Sequence, residues 1–281
     1  MSSILITGGS GYFGKAMVTH LLKDDTYERI CIYSRDEAKQ AVIRESFNND
    51  KRLRFFVGCI RDKDRLKRAM NGVDHVIHAA ALKRIEVGHY APDEMAKTNI
   101  FGTMNIVDAC ASSGVKKAVL LSSDKAYQPI SPYGQSKALA ESLFLGGNNI
   151  YGEHGPIYSV VRYGNVAGST GSVIPRWREQ LKNSDTVNVT DPECTRFWMF
   201  VGEAIDLVIR SLKRKEAISF PSIPVLPAYR LGDLAEAMGA KMNIIGLPVY
   251  EKKNESMDEW NCSKDARRMS VDELREKLKN V

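Results

Sequence analysis

Apolar positions come in short runs through the first part of the chain, and amphipathic stretches separate them. Residues 3–7, 29–34, 53–58, 75–78, 115–121 and 157–161 are almost continuously apolar and too short for helices. That is the pattern of strands buried on both faces. Between them Ala16, Met17, Leu21 and Leu22 recur at helical spacing, 65–70 reads as a short helix and 92–113 as a long one. Asn99 and Gly102 are poor helix formers, so a kink or a packing role inside that helix is as good a reading of them as chemistry. Beyond residue 166 the alternation breaks down. Short strands are expected at 186–189 and 217–220, helices at 203–212 and 230–238, a proline-rich stretch between them, and an amphipathic helix at 271–278.

The first strand runs into Gly8-Gly9-Ser10-Gly11-Tyr12-Phe13-Gly14, which opens the first helix. A glycine-spaced turn means little alone, but between a strand and a helix it can hold a pyrophosphate. Gly8 permits the tight turn, Gly11 lets the backbone approach, and Gly14 packs the helix on the sheet. The expected architecture is therefore α/β, a Rossmann-type doubly wound parallel sheet over 1–165, with a smaller substrate-binding lid over 166–281. About twenty residues past the last glycine an NAD site would carry an acid for the ribose hydroxyl. Here stand Ser34 and Arg35, with Lys39 a helical turn on, a set suited to the 2′-phosphate of NADP. Ala79, Ala80 and Ala81 end the fourth strand with side chains small enough for a flat cofactor to lie against the backbone, and Lys83 follows at its mouth.

The fifth strand leads into Ser122-Ser123-Asp124-Lys125-Ala126-Tyr127, and the chain then enters a helix through Pro132-Tyr133-Gly134-Gln135-Ser136-Lys137. Tyr133 and Lys137 stand at i and i+4, on one helix face. A nearby ammonium favours phenolate, which suits Tyr133 to proton exchange with an alcohol, and Ser123 at a strand's carboxyl end can hydrogen-bond the same alcohol.

Composition changes this picture little. The 281 residues are of ordinary globular make-up, and the net charge of +6 is scattered, which fits a phosphate-bearing ligand and speaks against nucleic acid. Five isolated cysteines without C-x-x-C spacing suggest buried thiols in a reducing cytoplasm. The histidines form no metal motif, so no metal is expected. A strand begins at once and no run approaches a membrane span, so neither a signal peptide nor a membrane partner is expected.

Taken together, T-G-G-S-G-Y-F-G, I-Y-S-R-D-E, H-A-A-A-L-K, K-T-N-I-F-G-T, S-S-D-K-A, Y-G-Q-S-K, V-V-R-Y-G-N-V, G-S-V-I-P and T-R-F-W cover most of the chain. The whole resembles the extended short-chain dehydrogenase/reductases, and within them the inverting UDP-N-acetylglucosamine 4,6-dehydratases of bacterial surface-sugar biosynthesis. Ser123-Asp124-Lys125 is the sharpest element, since retaining dehydratases usually carry Asp-Glu there and 4-epimerases lack the charged pair. The resemblance implies a lyase with NADP, a UDP-sugar substrate and a homo-oligomer. It implies that Tyr133 takes the 4-hydroxyl proton as carbon 4 is oxidised, Lys125 the carbon-5 proton, and Asp124 assists loss of the carbon-6 hydroxyl, although the residues themselves leave the last two roles interchangeable. It sets Cys59, Ile60, Asn99, Tyr133 and Lys137 at the cofactor, and Lys83, Asn165, Val166 and Arg196 at the nucleotide sugar. The chain departs from the family in three places. Cys59 replaces a common aspartate, Pro248-Val249-Tyr250-Glu251-Lys252 replaces R-P-G-E-K and lacks a diphosphate arginine, and the C-terminus is shorter than in many relatives. Other functions open to the same residues are a retaining dehydratase, a 4-epimerase, or a non-catalytic NADP-sensing regulator.

Overall fold

Residues 2–281 are described in a computed structural model. In chain order the first half runs β1 (Ser2–Thr7), α1 (Tyr12–Leu21), β2 (Tyr27–Ser34), α2 (Glu37–Ser46), β3 (Leu53–Val57), α3 (Lys63–Met70) and β4 (His75–His78). It continues with α4 (Ile85–Tyr90), α5 (Pro92–Met95), a π-helical turn Ala96–Phe101, α6 (Gly102–Ser112), β5 (Lys117–Leu121), a 3-10 turn Asp124–Ala126, the long α7 (Pro132–Tyr151) and β6 (Ile157–Val161). The remainder holds α8 (Val173–Gln180), β7 (Thr186–Val189), β8 (Thr195–Phe197), α9 (Val201–Leu212), β9 (Ala228–Arg230), α10 (Leu231–Ala237), β10 (Lys241–Ile244) and α11 (Val271–Leu278).

Six strands form one parallel sheet in the order β3-β2-β1-β4-β5-β6. Chain direction across the sheet reverses between β1 and β4, and the crevice beyond their carboxyl ends is where ligands of such sheets lie. Ile4, Ile6, Ile32, Ile77, Val119 and Val161 face α1 and α9, whereas Leu5, Tyr33, Val76, Leu120 and Val160 face α3, α6 and α7. Both faces are covered, so the strands read as unbroken apolar runs. Each fully buried aliphatic side chain contributes about 1.5 to 3 kcal/mol. The helix α9 joins the sheet's own core through Ala204, Ile205 and Val208. Trp177, Val187, Val189, Trp198, Tyr229 and Leu234 build a separate apolar cluster in the C-terminal part. There β7 pairs with β10 in parallel, and β8 with β9 antiparallel.

The helical stretch expected over 92–113 runs without a break as α5, the π turn and α6, and the irregularity expected around Asn99 and Gly102 is the π turn. The Asn99 amide accepts from Leu82 N at 2.8 Å and donates to Leu82 O at 2.9 Å, tying the turn to the loop after β4. One expectation is corrected here. The strand at 217–220 does not form. The proline-rich stretch that follows has too few donors for a ladder, and only Ser222 pairs, as a single bridge to Val161. Among the described residues no helix is long and apolar enough to cross a membrane, and no cluster of metal-ligating side chains is present.

Candidate active site

The catalytic stretch is fixed by hydrogen bonds that run past the end of the sheet. Ser122 N donates to Val161 O at 2.7 Å and Asp124 N to Tyr163 O at 3.0 Å, so the chain keeps following β6 as it enters the 3-10 turn. Ser131 caps α7 by accepting from Gly134 N at 3.1 Å, with Pro132 at the first helical position. This start brings Tyr133 against the turn, and the buried Lys137 donates to Leu121 O at 2.6 Å.

Ser123 Oγ donates to Asp124 Oδ1 at 2.9 Å, and Lys125 Nζ lies 3.2 Å from the same oxygen. On its other side Lys125 meets Glu255 Oε1 at 3.0 Å. Both carboxylates are buried. Burial lifts the Asp124 carboxyl above the ordinary carboxylate range against the pull of Lys125. Burial works against the Lys125 ammonium, but Asp124 and Glu255 outweigh it and hold its proton more firmly than usual. Glu255 is pulled the opposite way from Asp124: burial opposes its charge, yet Lys125, Arg196 and Lys252 keep it ionised. Of the two carboxyls facing Lys125, Asp124 is thus the one readier to carry a proton. Burial also raises the Tyr133 phenol, with Lys125 and Ser123 opposing the rise, and lowers Lys137 to about 8. Among the neighbouring charges, Lys125 lowers the Tyr133 phenol while Asp124 and Glu255 raise it.

One cavity of about 780 Å³ runs from the glycine turn to the C-terminal cluster. Gly8, Ser10, Gly11, Tyr12, Phe13 and Gly14 line one end, followed by Ser34, Arg35 and Lys39 and then by Cys59 and Ile60. Ala79, Ala80 and Ala81 form the floor, and Ser123, Lys125, Tyr133 and Lys137 stand at mid-length. Lys83, Asn165, Val166 and Arg196 lie on the remaining wall. Gly8 has φ +68°, and a Cβ there would stand 2.9 Å from the Ala80 backbone, so only glycine lets the turn pack directly on the loop after β4. Asp36 caps α2 through Lys39 N at 2.9 Å and pairs with Lys39 Nζ at 3.1 Å. Its carboxylate is therefore engaged, while the exposed Arg35 beside it has no partner among the ion pairs of the described residues.

Two residues expected at the site do not line the cavity. Asn99 is turned away, its amide committed to the Leu82 backbone and to Ser136 Oγ at 3.0 Å. Its amide ties the π turn to the loop that carries Lys83. Asp124 lies behind Ser123 and Lys125, fully buried. Arg196 does line the cavity, but its guanidinium already pairs with Glu251 at 3.0 Å and donates to the carbonyls of Thr195 at 2.8 Å and Lys253 at 3.1 Å. Glu251 and Glu255 raise its already high basicity despite burial, which opposes it. Sequence reasoning missed Glu251 and Glu255 as site residues. The available signal was E-K-x-x-E at Glu251, Lys252 and Glu255. It also missed Arg84 and Arg176, two further cations on the cavity wall.

The sequence profile of the polysaccharide biosynthesis protein family matches residues 4–269. A UDP-N-acetylglucosamine 4,6-dehydratase (inverting) of Campylobacter jejuni subsp. jejuni serotype O:23/36 is 42% identical over 258 residues, which span 91% of this chain and 77% of that protein. A UDP-glucose 4-epimerase of Rickettsia felis is 37% identical over 265 residues, with the same shares of 91% and 77%. Among solved structures, Pen from Bacillus thuringiensis superposes with a TM-score of 0.94 at 31% identity, covering 100% of this chain and 98% of that one.

Proposed function

The chain belongs to the polysaccharide biosynthesis protein family of extended short-chain dehydrogenase/reductases, and from that premise we propose that it is a UDP-N-acetylglucosamine 4,6-dehydratase that inverts carbon 5. The observation that carries the reading is the Lys125 ammonium at the cavity wall, beside Tyr133 and backed by Asp124. A sugar ring bound there would meet an acid-base group for its 4-hydroxyl and a second, independent one for carbon 5.

Tyr133 takes the 4-hydroxyl proton, with Ser123 orienting that oxygen and Lys137 beneath. Gly8, Gly11 and Gly14 would hold a nicotinamide cofactor, which would supply the hydride acceptor for carbon 4 and the hydride donor for carbon 6. The carbon-4 ketone acidifies the carbon-5 proton, which Lys125 Nζ removes once its own proton has passed to Asp124 Oδ1. That proton then reaches the departing carbon-6 hydroxyl through Ser123 Oγ, which lines the cavity and is hydrogen-bonded to the buried Asp124, and water leaves. Carbon 5 then regains a proton from the opposite face.

NADP is the cofactor of this reading, because Arg35 is free to meet a 2′-phosphate while Asp36 is engaged in the α2 cap. Residues 1–165 would carry the cofactor half and 166–281 the sugar-nucleotide half, with α9 as the piece of the second that packs on the sheet. A homo-oligomer working in the cytoplasm on surface polysaccharide precursors completes the proposal. The 4-epimerase reading draws support from the Rickettsia relative. It gives Lys125 nothing to do, since an epimerase leaves carbon 5 untouched. Proton NMR after incubation with NADP⁺ and UDP-N-acetylglucosamine separates the two: a carbon-6 methyl signal supports the dehydratase, and UDP-N-acetylgalactosamine refutes it.

A further inference from the structure

Glu255 is a buried carboxylate whose only close partners are cations. Oε1 meets Lys125 at 3.0 Å and Oε2 lies 3.7 Å from Lys252, and apart from these contacts neither oxygen has a hydrogen-bond partner. Its backbone is held firmly, with Glu255 N donating to Ser263 Oγ at 2.9 Å and Ser263 N to Glu255 O at 2.8 Å. The same segment reaches the catalytic turn a second time, where Lys252 Nζ donates to Tyr127 O at 2.5 Å. Replacing a buried ion pair by well-packed apolar side chains is often neutral or stabilising, so a carboxylate at 1% exposure is weakly explained by the fold. The charge it faces accounts for its placement better.

We propose that Glu255 is a positioning residue for Lys125: it fixes the ammonium at the cavity wall and governs which of Asp124 and Lys125 carries the proton between them. This rests on the dehydratase reading of Lys125. The pair has two arrangements, Asp124 carboxylate with Lys125 ammonium, or Asp124 acid with Lys125 amine, related by one proton moving between Nζ and Oδ1 across 3.2 Å. Only the second holds a base for carbon 5 and an acid for the leaving hydroxyl at the same time. Elimination breaks the bond from carbon 5 to hydrogen and the bond from carbon 6 to oxygen, forms the double bond between the two carbons, and releases water. It leaves Lys125 as ammonium and Asp124 as carboxylate. Glu255 favours that final arrangement, so it draws the carbon-5 proton onto Lys125 and restores the ammonium–carboxylate pair from which the internal proton transfer begins.

The other charged and titratable groups facing Lys125 are Arg196 on β8, Lys252 beside Glu255, Tyr133 on α7 and Tyr229 on β9. The two cations oppose the Lys125 charge, which leaves Glu255 as the sole outside group besides Asp124 that supports it.

The test follows Lys125 by NMR of the full chain with ¹³C- and ¹⁵N-labelled lysine, its signal assigned by loss in Lys125→Met. Between pH 8 and 11 the wild-type signal is expected to hold the ammonium position. In Glu255→Gln it should begin to move toward the amine position within that range, and Glu255→Asp, which keeps the charge, should recover most of that shift. Turnover of Glu255→Gln should fall about 10-fold or more while KM and NADP⁺ binding stay put. An unmoved Lys125 signal in Glu255→Gln overturns the proposal. So does a joint loss of NADP⁺ binding and melting temperature in both variants, since that would mark a merely structural residue. The NMR signal does not depend on the sugar, so a wild type inert toward UDP-N-acetylglucosamine would defeat the dehydratase reading and leave this result standing.

Discussion

Gly134 lies against the carbonyl oxygen of Lys125, so close that a Cβ at Gly134 would overlap it. This contact lets the first turn of α7 press Tyr133 onto Ser123 and Lys125. Gly134→Ala should therefore push the helix away from the catalytic turn. We expect a loss of about 1 to 3 kcal/mol of stability, the usual cost of overpacking, and a drop in turnover larger than the change in cofactor affinity. Thermal melts with steady-state kinetics check both, and a variant with normal turnover would show that the contact is not what positions Tyr133.

Arg35→Ala should weaken NADP⁺ by about 1 to 3 kcal/mol, the worth of a charge-assisted hydrogen bond, and leave NAD⁺ nearly unaffected. Calorimetric titration of both cofactors decides it. Equal weakening would remove Arg35 from the 2′-phosphate.

The ion pair between Arg196 and Glu251 puts an anion where a diphosphate is expected. Glu251→Gln keeps an acceptor and removes the charge. UDP affinity should rise about 3- to 10-fold, as follows from losing roughly 1 kcal/mol of repulsion between two anions. Arg196→Ala should instead lose UDP binding and also about 1 to 3 kcal/mol of stability, because it leaves the half-buried Glu251 without its counter-charge, while Glu255 keeps Lys125 and Lys252. Calorimetry with UDP and denaturant melts separate the effects. A UDP affinity that falls in Glu251→Gln would mean that Glu251 itself holds the nucleotide.

Lys137 supplies a pH dependence. Burial lowers it to about 8 from an ordinary value of 10.5, so between these values the unfolded chain holds a proton that the folded one has released. Stability therefore rises with pH across that window, and the penalty for a buried ammonium is fully present below about 8. Relative to Lys137→Met, the wild type should gain stability between pH 8 and 10.5, by an amount on the order of 2 to 3 kcal/mol. Urea melts of both proteins at pH 7.5 and 10 measure the difference, and a constant difference would contradict the shift.

The sheet was legible in the sequence because its strands are covered on both sides. Ile4-Leu5-Ile6 and Ile30-Cys31-Ile32 need no alternation to be read as strands, and the glycines after Thr7 mark the crevice. Ser123, Lys125, Tyr133 and Lys137 were legible because two neighbouring elements carry all four. Glu255 and Glu251 were not, since their meaning lies in contacts with Lys125 and Arg196 that chain spacing does not encode. Asn99 was read as open between packing and chemistry. Its amide suits a ligand as well as it suits the Leu82 backbone, and the fold shows it on Leu82 and Ser136.

The central claim is that Lys125 removes the proton of carbon 5 and that carbon 5 is reprotonated from the other face. It is tested most directly by turnover of UDP-N-acetylglucosamine with NADP⁺ in deuterium oxide, with NMR of the product from wild type and from Lys125→Ala. The wild type should give a 4-keto-6-deoxy sugar carrying deuterium at carbon 5 in inverted configuration, its methyl signal collapsed to a singlet. Lys125→Ala should bind NADP⁺ normally yet form product at least ~10²-fold more slowly, the lower end of what a positioned general base contributes. A wild-type product with retained configuration at carbon 5, or a Lys125→Ala variant with near-normal turnover, would contradict the account.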